Sequence, residues 1–385
     1  MKYYIIAGEA SGDLHGSNLI KQIKLKDAVA TIKCWGGDLM KNSGALLVKH
    51  FRELAFMGFA EVIKNLPTIF KNISFCKKDI LEFNPDVLVL IDYPGFNLRI
   101  AKWAKQQNIK IAYYISPQVW AWKANRVNQM KKDIDQMICI LPFEKDYYKN
   151  IWNWNVHYVG HPLVEVIQEF KENCTMYDVR CTISESSLPN TVHRTPNIVH
   201  QIAILPGSRK QEIAKKLPIM LSVAKHFSDF EFVVAKAPGV EDSFYEPFLK
   251  AYLNVSSVSN DTYSLLSKSS AALVTSGTAT LETALFGVPE VVCYKAKNIS
   301  YQIGKRVVKI KFISLVNLIM DKLVVKELIQ DELTTENIKA ELEQLLFNEE
   351  RKQQLKKDYQ ELWNKLYTDG SPSEKAANII CNMIK

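Results

Sequence analysis

Long apolar runs are missing from this 385-residue chain, and none reaches the roughly 18 consecutive apolar residues of a membrane-spanning helix. Met1-Lys2 leads straight into a core-like strand, which leaves no room for a signal peptide, so the expected location is the cytoplasm. Cysteine is sparse: the seven residues are scattered, form no C-x-x-C pair and are odd in number. That argues against a disulfide framework and a zinc site, and leaves reduced packing residues. No G-x-G-x-x-G turn and no Walker loop occurs, which weakens the usual dinucleotide and ATP readings. No Asp-x-Asp metal motif stands out. A dense basic stripe or nucleic-acid recognition motif is also absent, so no nucleic-acid partner is expected. The formal charge of +8 still favours anionic partners. Its basic residues come in short clusters, Lys77-Lys78, Lys131-Lys132 and Lys305-Arg306 with Lys309 and Lys311. Each is a solvated face or a contact for a phosphorylated substrate or an anionic membrane surface.

What the chain does have is alternation. The apolar runs Tyr3–Ala7, Val87–Ile91, Ile111–Ile115, Met137–Leu141 and His157–Val159 are separated by helix-length segments. Ile202–Leu205, Phe232–Ala235, Ala271–Val274 and Val291–Tyr294 repeat the theme. With 47% hydrophobic and 23% charged residues, this predicts an α/β protein of two facing Rossmann-like domains with a cleft between them. The expected bounds are 1–172 and 201–366, with a polar linker or insertion over 173–200. A C-terminal helix over 367–385 is expected on the N-terminal domain or on a second subunit. Leu355, Tyr359, Leu362 and Leu366 form one apolar helix face, and Ser371-Pro372-Ser373-Glu374 is a capping box that opens the last helix.

Two strand-to-loop junctions look built for the same job. Tyr3–Ala7 runs into Gly8-Glu9-Ala10-Ser11-Gly12-Asp13, and Ile202–Leu205 runs into Pro206-Gly207-Ser208-Arg209. A buried strand, a turn of small residues and a helix present backbone N–H groups to an anion. Gly8 and Gly12 allow close backbone approach to a phosphate or sugar hydroxyl. Glu9 and Asp13 repel anions, and suit hydroxyl acceptors or a helix cap. A third junction, Thr275-Ser276-Gly277-Thr278-Ala279-Thr280-Leu281-Glu282, offers hydroxyls from Ser276, Thr278 and Thr280, and Glu282 for a ribose diol. Together with Ser208 and Arg209 it makes a two-loop diphosphate site with one guanidinium to offset charge. Asp92 ends the run Val87–Ile91 and can act as a general base, or as a cap.

Two segments stand apart. Tyr113 to Trp122 is a dense aromatic loop suited to sugar rings, acyl chains or core packing, followed by Lys123 and Arg126. Phe51 to Phe75 carries Phe56, Phe59, Val62, Ile63, Leu66, Ile69, Phe70 and Ile73 at helical spacing, with Lys64, Lys71, Lys77 and Lys78 alongside. It reads as a buried helix pair or as a helix lying in a membrane interface.

These motifs in order resemble those of the lipid-A-disaccharide synthase family. The resemblance rests on Gly8–Asp13, Met57-Gly58, Ile91-Asp92, Tyr114–Trp122, Leu141-Pro142-Phe143-Glu144, Gly160-His161-Pro162 and Leu205–Arg209. It continues through Ser276–Glu282 and Ser314-Leu315-Val316-Asn317-Leu318, over nearly the whole chain. It implies a glycosyltransferase fold of the B type, with no metal and no other cofactor. The implied partners are UDP-2,3-diacylglucosamine as donor and 2,3-diacylglucosamine 1-phosphate as acceptor. The products would be the lipid A disaccharide 1-phosphate and UDP, made by an enzyme peripheral on the inner face of the cytoplasmic membrane. A homodimer with exchanged C-terminal parts is known in the family. Asn317 lies near the donor by resemblance alone. Gly95 stands where some members carry an acidic residue, so that role is absent here.

On this reading Asp92 is the catalytic base, Glu9 orients the acceptor or shares the role, and Arg209 offsets leaving-group charge. Gly8, Ser11, Gly12, Ser208, Ser276, Gly277, Thr278, Ala279, Thr280, Glu282 and Asn317 bind the substrates. A UDP-sugar epimerase, a nicotinamide-dependent oxidoreductase and a non-catalytic lipid-binding protein are the rivals. The first needs no acceptor lipid, the second lacks its glycine spacing, and the third leaves the paired anion loops unexplained.

Overall fold

The computed structural model describes residues 1–54, 66–185, 200–296, 301 and 310–383. Within them the chain divides into two compact units. One comprises Met1–Pro162 with Leu366–Lys385, the other Leu163–Lys365.

The first unit holds a seven-stranded sheet: β1 (Lys2–Ala7), β2 (Thr31–Gly36), β3 (Leu46–His50), β4 (Val87–Ile91), β5 (Lys110–Tyr114), β6 (Gln136–Cys139) and β7 (His157–Tyr158). Their order is β3-β2-β1-β4-β5-β6-β7, and every pairing is parallel. The central strands β1 and β4 are apolar throughout their buried length, as parallel strands covered on both faces must be. Each fully buried aliphatic side chain there contributes about 1.5–3 kcal/mol. Beside them the Trp35 indole donates to Tyr4 Oη (2.8 Å), which donates to Asp79 (2.6 Å), itself paired with Lys33 (2.8 Å).

The second unit holds β8 (His200–Leu205), β9 (Phe230–Lys236), β10 (Val255–Ser259), β11 (Ser269–Thr275), β12 (Glu290–Tyr294) and β13 (Lys326–Ile329). The order is β10-β9-β8-β11-β12-β13, again parallel throughout. Two parallel α/β sheets are the architecture that the strand–helix alternation predicts. The four strands that the apolar runs did not announce are β2, β3, β10 and β13. Three of these are sheet edges and the fourth lies next to one, where Lys33, Lys49, Ser256, Ser257 and Lys326 break the apolar run.

In each unit the strand order reverses beside the first strand, so the loops leaving β1 and β4, and those leaving β8 and β11, sit at topological switch points. Open parallel sheets bind ligands there. The β1–β4 register sets Ala7 against Ile91, and the β8–β11 register sets Leu205 against Val274. Each pair of junctions singled out in the sequence therefore starts from neighbouring strand ends.

The Gly160-His161-Pro162 motif marks where the chain leaves the first unit and where it later returns. Gly160 has φ +92, and a Cβ there would lie 2.4 Å from Thr368 Oγ1. Thr368 Oγ1 donates to the Val159 carbonyl (3.1 Å), and the His161 N–H donates to Leu366 O (3.3 Å). The break between the units follows Pro162, against the 172 read from the sequence. The segment from Cys174 begins as a continuation of the helix Pro162–Glu185, which extends well beyond the expected start of a linker. Residues 186–199 lie outside the described residues, as do 55–65 with Met57-Gly58, and Lys305-Arg306 with Lys309.

Leu355, Tyr359, Leu362 and Leu366 are buried on one face of the helix Glu349–Leu366. The last helix, Pro372–Asn382, starts at N-cap Ser371, whose hydroxyl accepts from the Glu374 N–H (3.1 Å). It lies against the helix Ala10–Lys26 of its own first unit. Ala376, Ala377 and Ile380 are buried there, and Lys26 pairs with Glu374 at 3.1 Å.

Candidate functional site

In the first unit, β1 ends at Gly8 and Glu9 is the N-cap of the helix Ala10–Lys26. Glycine at position 8 is a steric demand, since a Cβ there would stand 2.3 Å from the Tyr93 ring. Gly12 packs on Ala7, where a Cβ would come within 3.1 Å of the alanine methyl. Asp13 is buried and committed to the scaffold. Its carboxylate accepts from the backbone N–H groups of Gly37 (2.7 Å), Leu39 (3.1 Å) and Met40 (3.1 Å), capping the helix Asp38–Asn42. Glu9, the other acidic residue of that turn, stands at the strand end with half-buried Ser11 close by in sequence.

Asp92 is held in an uncommon conformation. Its φ is +42 and that of Tyr93 is +48, left-handed values that non-glycine residues seldom adopt. Surrounding bonds enforce it. The Asp92 N–H donates to Tyr114 O (3.1 Å), while its carbonyl accepts from Tyr113 Oη (2.5 Å) and from the buried Asn97 amide (2.8 Å). Ile115, at the end of neighbouring β5, also has positive φ (+66). Backbone strain concentrated at strand ends is characteristic of functional sites. Burial, then the negative charge of Glu9, push the Asp92 carboxyl up to about 7, against a smaller opposing effect of the Tyr93 N–H. A carboxyl titrating there is matched to general base work near neutrality.

Most of the aromatic loop is core. Tyr113, Tyr114, Val119 and Ala121 are buried, and the half-buried Trp120 donates to Glu144 (3.1 Å). Trp122 is the exposed aromatic of the loop, with Lys123 Nζ 4.2 Å from its ring centroid. The triplet Asp133-Ile134-Asp135 does have Asp-x-Asp spacing, contrary to the sequence expectation. Its carboxylates are committed elsewhere: Asp133 accepts from Gln129 (2.8 Å), and Asp135 accepts from the Ile111 N–H (2.9 Å) and from Lys105.

In the second unit, Gly207 has φ +115, Ser208 is exposed, and Arg209 is the N-cap of the helix Lys210–Leu221. The half-exposed Arg209 guanidinium meets Glu212 at 3.1 Å. On the neighbouring strand, Gly277 (φ +147) is the N-cap of the helix Thr278–Phe286. Two of the three hydroxyls expected to face an anion are committed inward. Ser276 Oγ donates to Ile313 O (2.8 Å) and Thr280 Oγ1 donates to Gly277 O (2.9 Å). Each hydroxyl has one proton to give, so the donors left for an anion are the backbone N–H groups of the first turn and exposed Thr278. Ala279 is half-buried in that turn. Glu282 is half-buried one turn further on, and burial pushes its carboxyl up to about 7.

Asn317 is fully buried and its amide is saturated. It donates to Val325 O and Glu327 (both 2.9 Å) and accepts from the N–H groups of Val324 (2.8 Å) and Val325 (2.9 Å). With Glu327 it holds the turn Ile313-Ser314, whose Ile313 carbonyl receives the Ser276 hydroxyl. That is a scaffold position, with no amide group left for a ligand. The Lys216 side chain, absent from the sequence reading, lies beneath both turns.

A family model described as lipid-A-disaccharide synthetase matches residues 3–380. The chain belongs to the lipid-A-disaccharide synthetase family. A lipid-A-disaccharide synthase of Geobacter metallireducens is 35% identical over 385 residues, 99% of this chain and 96% of that protein. One from Coxiella burnetii is 33% identical, covering 99% and 98%. Among solved structures, the UDP-GlcNAc 2-epimerase of Neisseria meningitidis bound to UDP-GlcNAc aligns with TM-score 0.63 at 15% identity, over 100% of this chain and 99% of that one. The Methanocaldococcus jannaschii UDP-GlcNAc 2-epimerase in complex with UDP-GlcNAc and UDP gives TM-score 0.64 at 14% identity, covering 99% and 100%. Those likenesses show a shared fold. The family match separates this transferase from the epimerase rival, which the fold alone does not.

Because Glu9 helps hold the Asp92 proton, replacing it with glutamine removes a like charge and lowers the Asp92 pKa. The acid limb of the kcat/KM profile, expected near pH 7 in the unaltered protein, should move to lower pH in Glu9→Gln. An unmoved limb would show that Glu9 does not set it.

Proposed function

We propose that this lipid A glycosyltransferase joins UDP-2,3-diacylglucosamine to 2,3-diacylglucosamine 1-phosphate by direct displacement, with its working groups divided between the two switch points. The observation that carries the assignment is that pairing: Glu9 and Asp92 at one switch point, and Arg209 with the first-turn N–H groups after Gly277 at the other. The acceptor 6-hydroxyl oxygen forms its bond to the donor anomeric carbon while the bond from that carbon to the UDP oxygen breaks, inverting the configuration. The hydroxyl proton passes to the Asp92 carboxylate, and the bonding pair leaves with UDP. Glu9 orients the acceptor hydroxyls. Arg209 and the N–H groups of Thr278 and Ala279 meet charge as it grows on the leaving diphosphate. Glu282 accepts from the ribose diol. Asp92 must be deprotonated to act, so turnover falls as pH drops through about 7.

Association with a membrane surface is the second part of the proposal. Among the described residues no helix is long and apolar enough to cross a membrane. The helix Leu66–Phe83 buries Ile73, Cys76 and Ile80 yet leaves Phe70 59% and Phe75 47% exposed, beside Lys71, Lys77 and Lys78. Phe56, Phe59, Val62 and Ile63, the rest of the apolar stretch, lie outside the described residues. Exposed rings beside ammonium groups suit an anionic lipid interface.

UDP should be released only when both diacylated sugars are supplied; release from the donor alone would sink the transferase assignment. Asp92→Asn preserves size but cannot take the proton, and single-turnover rates should fall about 10²–10⁴-fold with UDP affinity little changed. Equal losses in rate and UDP affinity would make Asp92 structural. Changing Phe70 to serine should weaken binding to vesicles containing anionic lipid while leaving the melting temperature nearly unchanged, since its ring is largely exposed. Unaltered vesicle binding would remove this face from the membrane contact.

A further inference from the structure

Lys216 is a buried cation that the mechanism above does not use. It lies on the helix Lys210–Leu221 and is 3% exposed. Lysine is almost never buried this far without a partner. Its Nζ donates to Thr275 Oγ1, at the end of β11, and lies 3.9 Å from Glu212 Oε2. The backbone of Gly207 lies directly above it, since a Cβ on that glycine would be 3.6 Å from the ammonium, 3.2 Å from Glu212 Oε2 and 3.4 Å from Thr275 Cγ2. Glu212 in turn holds Arg209 at 3.1 Å. A chain of contacts thus runs from the half-exposed guanidinium, through Glu212, to a buried ammonium bonded to the neighbouring strand end. A cation sited there is paired with one partly solvated carboxylate and one neutral hydroxyl, and the turns above it present N–H groups.

We propose that Lys216 is a positioning residue of the donor diphosphate site: its ammonium ties the turn after β8 to the turn after β11 and supplies positive charge beneath the phosphates. This rests on the reading that those two turns hold the donor diphosphate. The charge acts through a water-poor layer, so it is screened less than that of Arg209. The charged and titratable groups facing it are Glu212, Arg209 and Lys215 from its own helix and the turn before it, and the Cys293 thiol from β12, which burial holds up near 12. Burial lowers the Lys216 pKa, with Glu212 opposing that. As pH rises through its titration the ammonium is lost, so diphosphate affinity falls.

Calorimetric titration of the full chain with UDP at about pH 7 and at about pH 10, close to the ordinary lysine value, tests this in Lys216→Met, Thr275→Val and Arg209→Ala. Lys216→Met should bind UDP about tenfold more weakly at the lower pH and lose most of the pH dependence seen in the unaltered protein. Titration of the ligand itself is common to both proteins and cancels. Thr275→Val, which keeps the ammonium but removes its acceptor, should lose about threefold. Unchanged UDP affinity in Lys216→Met, or weaker binding with an unaltered pH profile, overturns the proposal. If Lys216→Met does not fold, Thr275→Val decides: weakened binding supports the role and full affinity overturns it. Weakening in Arg209→Ala alone sinks Lys216 and leaves the site assignment standing. Failure of the unaltered protein to bind UDP sinks the assignment itself.

Discussion

Parallel pairing of β1 with β4, and of β8 with β11, is the constraint on which the rest depends. A parallel sheet wound outward in both directions from its first strand leaves one gap at the strand ends that no crossover helix covers. Each unit has one such gap, and the residues with chemistry to offer line it. Register does the fine positioning, because Ala7 opposite Ile91 sets Glu9 beside Asp92, and Leu205 opposite Val274 sets Gly207 beside Thr275.

The two gaps are electrostatic opposites. In the first, two half-buried carboxylates stand on neighbouring turns, and both burial and mutual repulsion favour a retained proton on Asp92. In the second, Arg209, Lys216 and the dipoles of two helix starts favour negative charge, with Glu212 set between the two cations. A group that accepts a proton and a site that accepts a departing diphosphate are the two needs of a displacement reaction, and the proposed mechanism assigns one to each gap.

Several polar residues near these gaps serve the scaffold. Asp13 caps a neighbouring helix, Ser276 and Thr280 satisfy carbonyls, and Asn317 with Glu327 fixes the turn that receives Ser276. In the sequence they are indistinguishable from ligand-binding residues, since a hydroxyl or carboxylate in a glycine-rich turn suits either task. What separates the roles is where the side chain's few donors and acceptors go. Burial makes each such commitment costly to break, at about 1–3 kcal/mol for an orphaned polar group.

The central strands, the fold class, the capped last helix and the candidate turns were legible in the sequence because each is a local matter. A strand covered on both faces must be apolar along its length, a capping box spans four residues, and a strand-end turn is contiguous. The motif series that marks the family is likewise written in order along the chain. The edge strands β3, β10 and β13 were not legible, because solvent on one side tolerates Lys49, Ser257 and Lys326 within them. Nor were the saturation of Asn317 by residues 7 to 10 positions away and the seat of Lys216 against Thr275, 59 positions away. Those depend on which strand ends become neighbours, and sheet order rather than sequence order decides that. So the sequence by itself determined the kind of fold, the family and the turns to watch. Only the tertiary structure decided which side chains in those turns serve the scaffold, because burial and long-range pairing consume their donors and acceptors.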